Sequence, residues 1–308
     1  MSDPKTTCGF VSVIGLPNAG KSTLINHIVG EKISIVSRKV QTTRNRILGI
    51  AMHEHAQIIL MDTPGIFKPS SKSLERAMIC AAWDTVEEAD IIIHLIDAAK
   101  NNAVRDAKLI MERLAEQKKQ RPHLRVLLVL NKVDVTRKET LLITTQALNE
   151  AFDYEATFMI SSLKGSGIAQ VMNDLAQNLP QAPWMYPEDQ VSDMPLRFLA
   201  AEITREKIYD QLHEELPYSA MVQTEKWEEF KNGAIKISQV IYIQRTSQKS
   251  IILGKNGSRI KQLGEQSRLD LEVLLQCKVH LNLFVKVQED WAERAEHYSS
   301  MGLEFPTN

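Results

Sequence analysis

Gly15-Leu16-Pro17-Asn18-Ala19-Gly20-Lys21-Ser22 fits the pattern G-x-x-x-x-G-K-[ST], a loop that wraps phosphate. The apolar run Phe10–Ile14 before it reads as a short buried strand. The segment from Thr23 to Val29 after it reads as a helix with Leu24, Ile25 and Ile28 on one side. Strand, glycine loop and helix are the context in which this pattern binds anions. Backbone N–H groups turn inward, and the helix N-terminus adds partial positive charge. Lys21 can reach β- and γ-phosphates, and the Ser22 hydroxyl can hold Mg²⁺.

Working outward, the same alternation recurs. Strands are predicted at 46–52, 56–61, 91–96, 125–130 and 156–160, with helices near 74–88, 104–119 and 139–152 and one ending near Asn178. Buried strands alternating with amphipathic helices imply an α/β unit whose mostly parallel sheet is covered on both faces. The chemistry-bearing segments fall just after strands, where such sheets bind ligands. Asp62-Thr63-Pro64-Gly65 fits D-x-x-G: Asp62 would reach Mg²⁺ through water, and the Gly65 N–H would sense a γ-phosphate. Asn131-Lys132-Val133-Asp134 fits N-K-x-D. A carboxylate at Asp134 can accept from guanine N1–H and its exocyclic amine, whereas adenine would leave it unpaired. Asn131 would contact the other edge of the base, and the Lys132 stem would pack beside the ring. Ser161-Ser162-Leu163 stands where a backbone N–H can reach guanine O6. In the polar loop Gln41-Thr42-Thr43-Arg44-Asn45, Thr43, or alternatively Thr42, would close over Mg²⁺ and the γ-phosphate. Glu31–Asn45 and Gly65–Ser73 are the expected switch segments. These residues imply a GTPase with a Mg²⁺-dependent switch, in which Lys21, Thr43 and Gly65 face the reacting phosphate.

The chain has 308 residues, enough for two domains, and an ordinary globular composition of 44% hydrophobic and 24% charged residues. Cys8, Cys80 and Cys277 are dispersed and form no C-x-x-C, which argues against a disulfide framework or zinc site and fits a reducing cytosol. Met1–Thr7 is polar, so no signal peptide is expected, and no apolar run is long enough to span a membrane. A peripheral membrane association stays open.

Pro180, Pro183, Pro187 and Pro195 break the alternation. The expected organisation is therefore a nucleotide-binding domain over 1–180, a proline-rich linker over 181–195 and a second domain over 196–308. The second domain reads as α+β. A helix (196–213) precedes two strands (219–227 and 234–245), a helix–turn–helix region (249–276), a strand (278–287) and a last helix from Trp291. Residues 1–182 carry net charge +3 and residues 183–308 carry −4. Yet from Lys231 to Gly264 there are seven basic residues and no acidic one, a localised basic block in an acidic domain. Inside it lies Ile251-Ile252-Leu253-Gly254-Lys255-Asn256-Gly257-Ser258-Arg259-Ile260-Lys261. A G-x-x-G between two helices lets a phosphate backbone approach closely. Lys255, Arg259 and Lys261 would supply charge, Ile251, Ile252 and Ile260 an apolar floor for bases, and Asn256 lies within the clamp.

The first-domain segments, including Pro17-Asn18 inside the phosphate loop and Gln41-Thr42-Thr43-Arg44, resemble the TrmE–Era–EngA group of bacterial P-loop GTPases. Ile66 stands where Ras-type enzymes carry the glutamine that orients the attacking water. The resemblance implies slow GTP hydrolysis without that glutamine, and a K⁺ near the β- and γ-phosphates held partly by Asn18. The second domain is similar to a KH domain, and the combination resembles the Era-type branch over nearly the whole chain, including Arg205-Glu206-Lys207, Glu215–Ser219 and Val279-His280-Leu281. That resemblance implies a type II KH domain, binding to the 3′ end of small-subunit ribosomal RNA, a role in maturing the 30S subunit precursor, a cytoplasmic monomer and, in some members, residence at the inner membrane face. The competing reading is a signalling or trafficking GTPase whose C-terminal domain binds protein or membrane. G-x-x-G inside an acid-free basic block favours RNA. A tRNA-modification partner of the TrmE branch would need a different domain arrangement and a terminal cysteine motif, both missing here.

Overall fold

The structure is a computed structural model, and it describes residues 6–37, 39, 41–67, 72–212 and 216–306. Residues 1–5 of the polar N-terminus, 68–71 of the second switch segment, residues 38 and 40 of the first, and His213 to Glu215 lie outside the described residues.

Contacts divide the chain into two compact units, 1–34 with 43–193, and 35–42 with 194–308. In the first unit the elements are β1 (Thr7–Ile14), α1 (Lys21–Val29), β2 (Ile47–His53), β3 (Ala56–Asp62), α2 (Ser73–Glu88), β4 (Ile91–Asp97), α3 (Ala103–Gln120), β5 (Arg125–Asn131), α4 (Lys138–Ala151), β6 (Ala156–Met159) and α5 (Ile168–Asn178). The sheet order is β2-β3-β1-β4-β5-β6. Only the β2–β3 pair is antiparallel, because the His53–Ala56 turn is too short for a crossover. β3 and β4 are buried along their whole length, as strands sandwiched between helix layers must be. A core cluster of this unit runs from Cys8 and Ile59 through Ile92 and Leu128 to Leu114 and Phe152. Residues 181–193, expected as a linker, are built into this unit. Gln57 holds them through its Nε2 to Tyr186 O (2.8 Å) and its Oε1 to the Met185 and Tyr186 amides. Ser192 Oγ donates to Leu48 O (2.7 Å). Trp184 and Tyr186 pack on the core, so the prolines shape an extended edging.

In the second unit the elements are α6 (Leu196–Gln211), α7 (Leu216–Ser219), β7 (Met221–Glu229), β8 (Ile235–Ile243), α8 (Thr246–Leu253), α9 (Ser258–Leu275), β9 (Val279–Val287) and α10 (Ala295–Ser300). The sheet order β7-β8-β9 has an antiparallel and then a parallel pair. β9 alternates as a half-buried strand should. Leu281, Leu283, Val285 and Val287 pack against the core, while His280, Asn282, Phe284 and Lys286 are exposed. Two expected boundaries move. Ser219 closes a helical turn instead of opening a strand, and its carbonyl accepts from the indole of Trp291 at 2.9 Å. The last helix begins at Ala295, because Trp291–Glu293 form a tight turn that buries that indole.

Candidate functional site

The C-terminal ends of β1, β3, β4, β5 and β6 meet at one edge of the sheet, and the expected segments are continuous with them. The phosphate loop, Gly15 to Ser22 followed by Thr23, leads from β1 into α1, capped by Gly20 in left-handed conformation. Gly65 shows why D-x-x-G ends in glycine. A Cβ there would lie 2.7 Å from the Pro17 backbone nitrogen, so only a bare peptide can lie against the phosphate loop. The Ile66 N–H donates to Gly15 O at 3.0 Å, locking that approach. The Ile66 side chain is in the core and contributes nothing polar to the site.

Lys21 is buried and donates to the Gly15 and Leu16 carbonyls at 3.1 and 3.2 Å. Burial lowers its pKa to about 8, against the opposing pull of Asp62. A bound triphosphate would raise that value again, so binding takes up a proton above pH 8. Nucleotide affinity should therefore be full below about pH 8 and fall as pH rises through it. Affinity titrations from pH 7 to 9.5 test this, with Lys21→Arg, which does not deprotonate, expected to flatten the profile.

Asp62 is fully buried. Its Oδ2 accepts from Ser22 Oγ (2.7 Å), Ser34 Oγ (2.6 Å) and Thr43 Oγ1 (3.5 Å), and Ser22 Oγ lies 2.9 Å from Thr43 Oγ1. Its Oδ1 is buried with no hydrogen-bond partner among the described residues. Hard oxygens from a carboxylate and two hydroxyls, with one carboxylate oxygen unspent, fit Mg²⁺. Thr43 reaches this cluster, whereas the Thr42 hydroxyl donates to Lys39 O (2.9 Å). Ser34 was not singled out by its sequence context. Asn26, which binds the Ser34 amide and carbonyl, brings it to Asp62.

In the N-K-x-D segment, Asn131 acts as a strut. Its Nδ2 donates to Ala19 O (2.8 Å), and its Oδ1 accepts from the Lys132 and Ser162 amides (2.8 and 2.9 Å). It is 2% exposed, so its amide links three loops rather than presenting an open edge. Asp134 sits in the tight turn Val133–Val135, with Lys164 Nζ at 3.6 Å. The Ser161 hydroxyl holds its carboxyl below the usual carboxylate range. Leu163 is 79% exposed.

In the second unit Gly254 and Gly257 both have positive φ, and Asn256 between them is also left-handed. The resulting tight turn separates α8 from α9 and leaves Lys255, Asn256, Arg259 and Lys261 exposed. Ile251 is 46% exposed. Ile252, expected to touch RNA, is fully buried in the core with Leu263 and Ile241, because it lies on the inner side of α8. Ile260 is half-buried against the same core. Outside the loop, Lys236 of the acid-free block faces Glu228 across the sheet at 3.5 Å, so the unpaired character of the block is reduced there. The segment 35–42 packs within this unit: Val36 N donates to Glu206 Oε1 (2.9 Å), Tyr209 Oη to Gln41 O (3.2 Å) and Arg205 Nη2 to Thr42 O (2.5 Å). The Arg205 guanidinium also pairs with Glu202.

Residues 10–132 match a family described as 50S ribosome-binding GTPase, and residues 215–292 match the KH domain family. A GTPase Era from Mesorhizobium japonicum is 52% identical over 98% of this chain and 96% of its own length. One from Sinorhizobium medicae is 54% identical over 98% and 95%. A single-residue variant of Aquifex aeolicus Era bound to GDP·AlF4⁻ superposes with TM-score 0.88 at 35% identity, over 96% of this chain and 99% of that one. A crystal structure of Era with MgGDPNP and nucleotides 1506–1542 of 16S ribosomal RNA matches equally well.

Proposed function

The chain belongs to the Era family of GTPases, and from that premise we propose that it binds and hydrolyses GTP, binds the 3′ end of 16S ribosomal RNA through its KH domain, and assists maturation of the 30S subunit precursor. The observation that carries this reading is the convergence of the phosphate loop, D-x-x-G and N-K-x-D at one sheet edge, in a chain that also bears an exposed G-x-x-G turn. The backbone of Gly15–Ser22 and the Lys21 ammonium would bind the phosphates, and the Gly65 N–H the γ-phosphate. Ser22, Thr43 and Asp62 would hold Mg²⁺, which when bound neutralises charge on the β- and γ-oxygens. Asp134 would read guanine. With no glutamine at Ile66 to orient the attacking water, intrinsic hydrolysis would be slow. Asn18 would help hold K⁺ beside the phosphates. Replacing K⁺ by Na⁺ should then slow turnover in the wild type but not in Asn18→Ala, and equal rates in both salts for the wild type would remove the potassium site.

The switch segment couples the two activities. Thr43 stands with Ser22 and Asp62, while the residues immediately before it group with α6. A γ-phosphate that orders Thr43 therefore acts on a segment anchored in the RNA-binding unit. By linkage, RNA must favour GTP by the factor that GTP favours RNA. No helix among the described residues is long and apolar enough to cross a membrane. We further propose that the protein acts as a monomer in the cytoplasm and that any association with the inner membrane is peripheral. The deciding experiment measures affinity for short oligomers of the 16S 3′ end with GDP and with a non-hydrolysable GTP analogue. Tighter binding with the analogue is expected. Affinity no better than for a scrambled single strand would reject the ribosomal reading.

A further inference from the structure

We infer that Asp97 is a positioning residue of the guanine site: its carboxylate fixes the Lys132 ammonium against the Asn18 carbonyl, so that the base-reading segment and the phosphate loop move as one body. The inference rests on the guanine-nucleotide reading above. Asp97 is the last residue of β4 and stands opposite Asn131 in the β4–β5 register. It is 8% exposed. One carboxylate oxygen accepts from its own chain, the Ala99 N–H at 3.1 Å, which fixes the side chain's rotamer. The other lies 2.6 Å from Lys132 Nζ.

The same ammonium donates to Asn18 O at 2.8 Å. Lys132 and Asn18 have φ of 65° and 64°. Two non-glycine residues in left-handed conformation, at the two ends of one hydrogen bond, are held there by their surroundings. A lysine stem is flexible, and its ammonium is strongly hydrated. Without the carboxylate the ammonium would exchange Asn18 for water, and the stem would lose its place beside the purine. β4 itself does not depend on this charge, since it pairs with β5 along its whole buried length and with β1 over Ile91–His94. A short acidic end on a buried strand, at the edge where ligands bind, is the sequence signal for such a residue.

The test is a double-mutant cycle on the full chain, with Asp97→Ala, Lys132→Ala and the pair, reading GTP and inosine triphosphate affinities by calorimetry. Asp97→Ala should weaken GTP about tenfold or more, the scale of a lost charge-assisted hydrogen bond. Asp97→Asn, which keeps an acceptor, should lose less. On the Lys132→Ala background Asp97→Ala should cost almost nothing further. The GTP-to-inosine ratio should stay at its wild-type value, because Asp134 reads the exocyclic amine. An equal loss on both backgrounds, or a collapsed ratio, would overturn the positioning role. Should Asp97→Ala fail to fold, Asp97→Asn with Lys132→Met closes the same cycle, with unfolding followed in nucleotide-free protein. Absence of GTP binding by the wild type would defeat the guanine-nucleotide reading itself, and the proposal with it.

Discussion

Asp134→Asn should lower GTP affinity on the order of 10³-fold or more and make xanthosine triphosphate the better ligand. The wild-type carboxylate is ionised at neutral pH like any ordinary aspartate, and the Ser161 hydroxyl, with Lys164 at 3.6 Å, favours that form further. It can accept from two guanine donors at once. An asparagine presents one donor and one acceptor, so one guanine donor would face an amide N–H and lose its partner. Xanthine carries a carbonyl in place of the exocyclic amine, which restores the match. Asp134 lies in a short turn after β5 rather than in the core, so the fold should survive, and thermal unfolding without nucleotide checks this. Equal GTP affinities of wild type and variant would show that another group reads the base.

Gly257→Asp should abolish binding to the 16S 3′-end oligomers while GTP binding persists. A Cβ at Gly257 meets no atom within 4 Å, so the new carboxylate would project into the space a phosphate must enter. The left-handed backbone there is one that aspartate tolerates better than most residues. Gly254 is the poorer choice, because a Cβ there would lie 2.7 Å from the Arg259 Cβ and disturb the loop itself. Repulsion and steric block then act together on RNA. Lys255→Ala should act differently. It should weaken all single strands evenly and reduce the slope of log affinity against log salt by about 0.7, the share of one phosphate contact. GTP affinity without RNA serves as the folding control. Undiminished RNA binding by Gly257→Asp would move the RNA site away from this loop.

The fold class and the gathering of the phosphate-loop, D-x-x-G and N-K-x-D segments at one sheet edge were legible in the amino-acid sequence because each is local. A glycine loop between strand and helix, D-x-x-G after β3 and N-K-x-D after β5 carry their chemistry within a few residues, and parallel strands deliver their C-terminal ends to one edge whatever lies between. The same locality revealed the missing glutamine at Ile66 and the G-x-x-G turn. What depended on register and packing was decided only in three dimensions. Ser34 reaches Asp62 across 28 positions, and Lys132 reaches Asp97 across 35, because strand pairing and the Asn26 and Asn131 amides bring distant loops together. Ile251 and Ile252 are adjacent in the chain, yet one faces solvent and the other the core, since successive helical residues point about 100° apart. Residues 181–193 read as a tether by their prolines, but Gln57 and the aromatic rings of Trp184 and Tyr186 seat them on the first unit. Spacing along the chain determines which chemistry is present, and burial and register determine which of those side chains can use it.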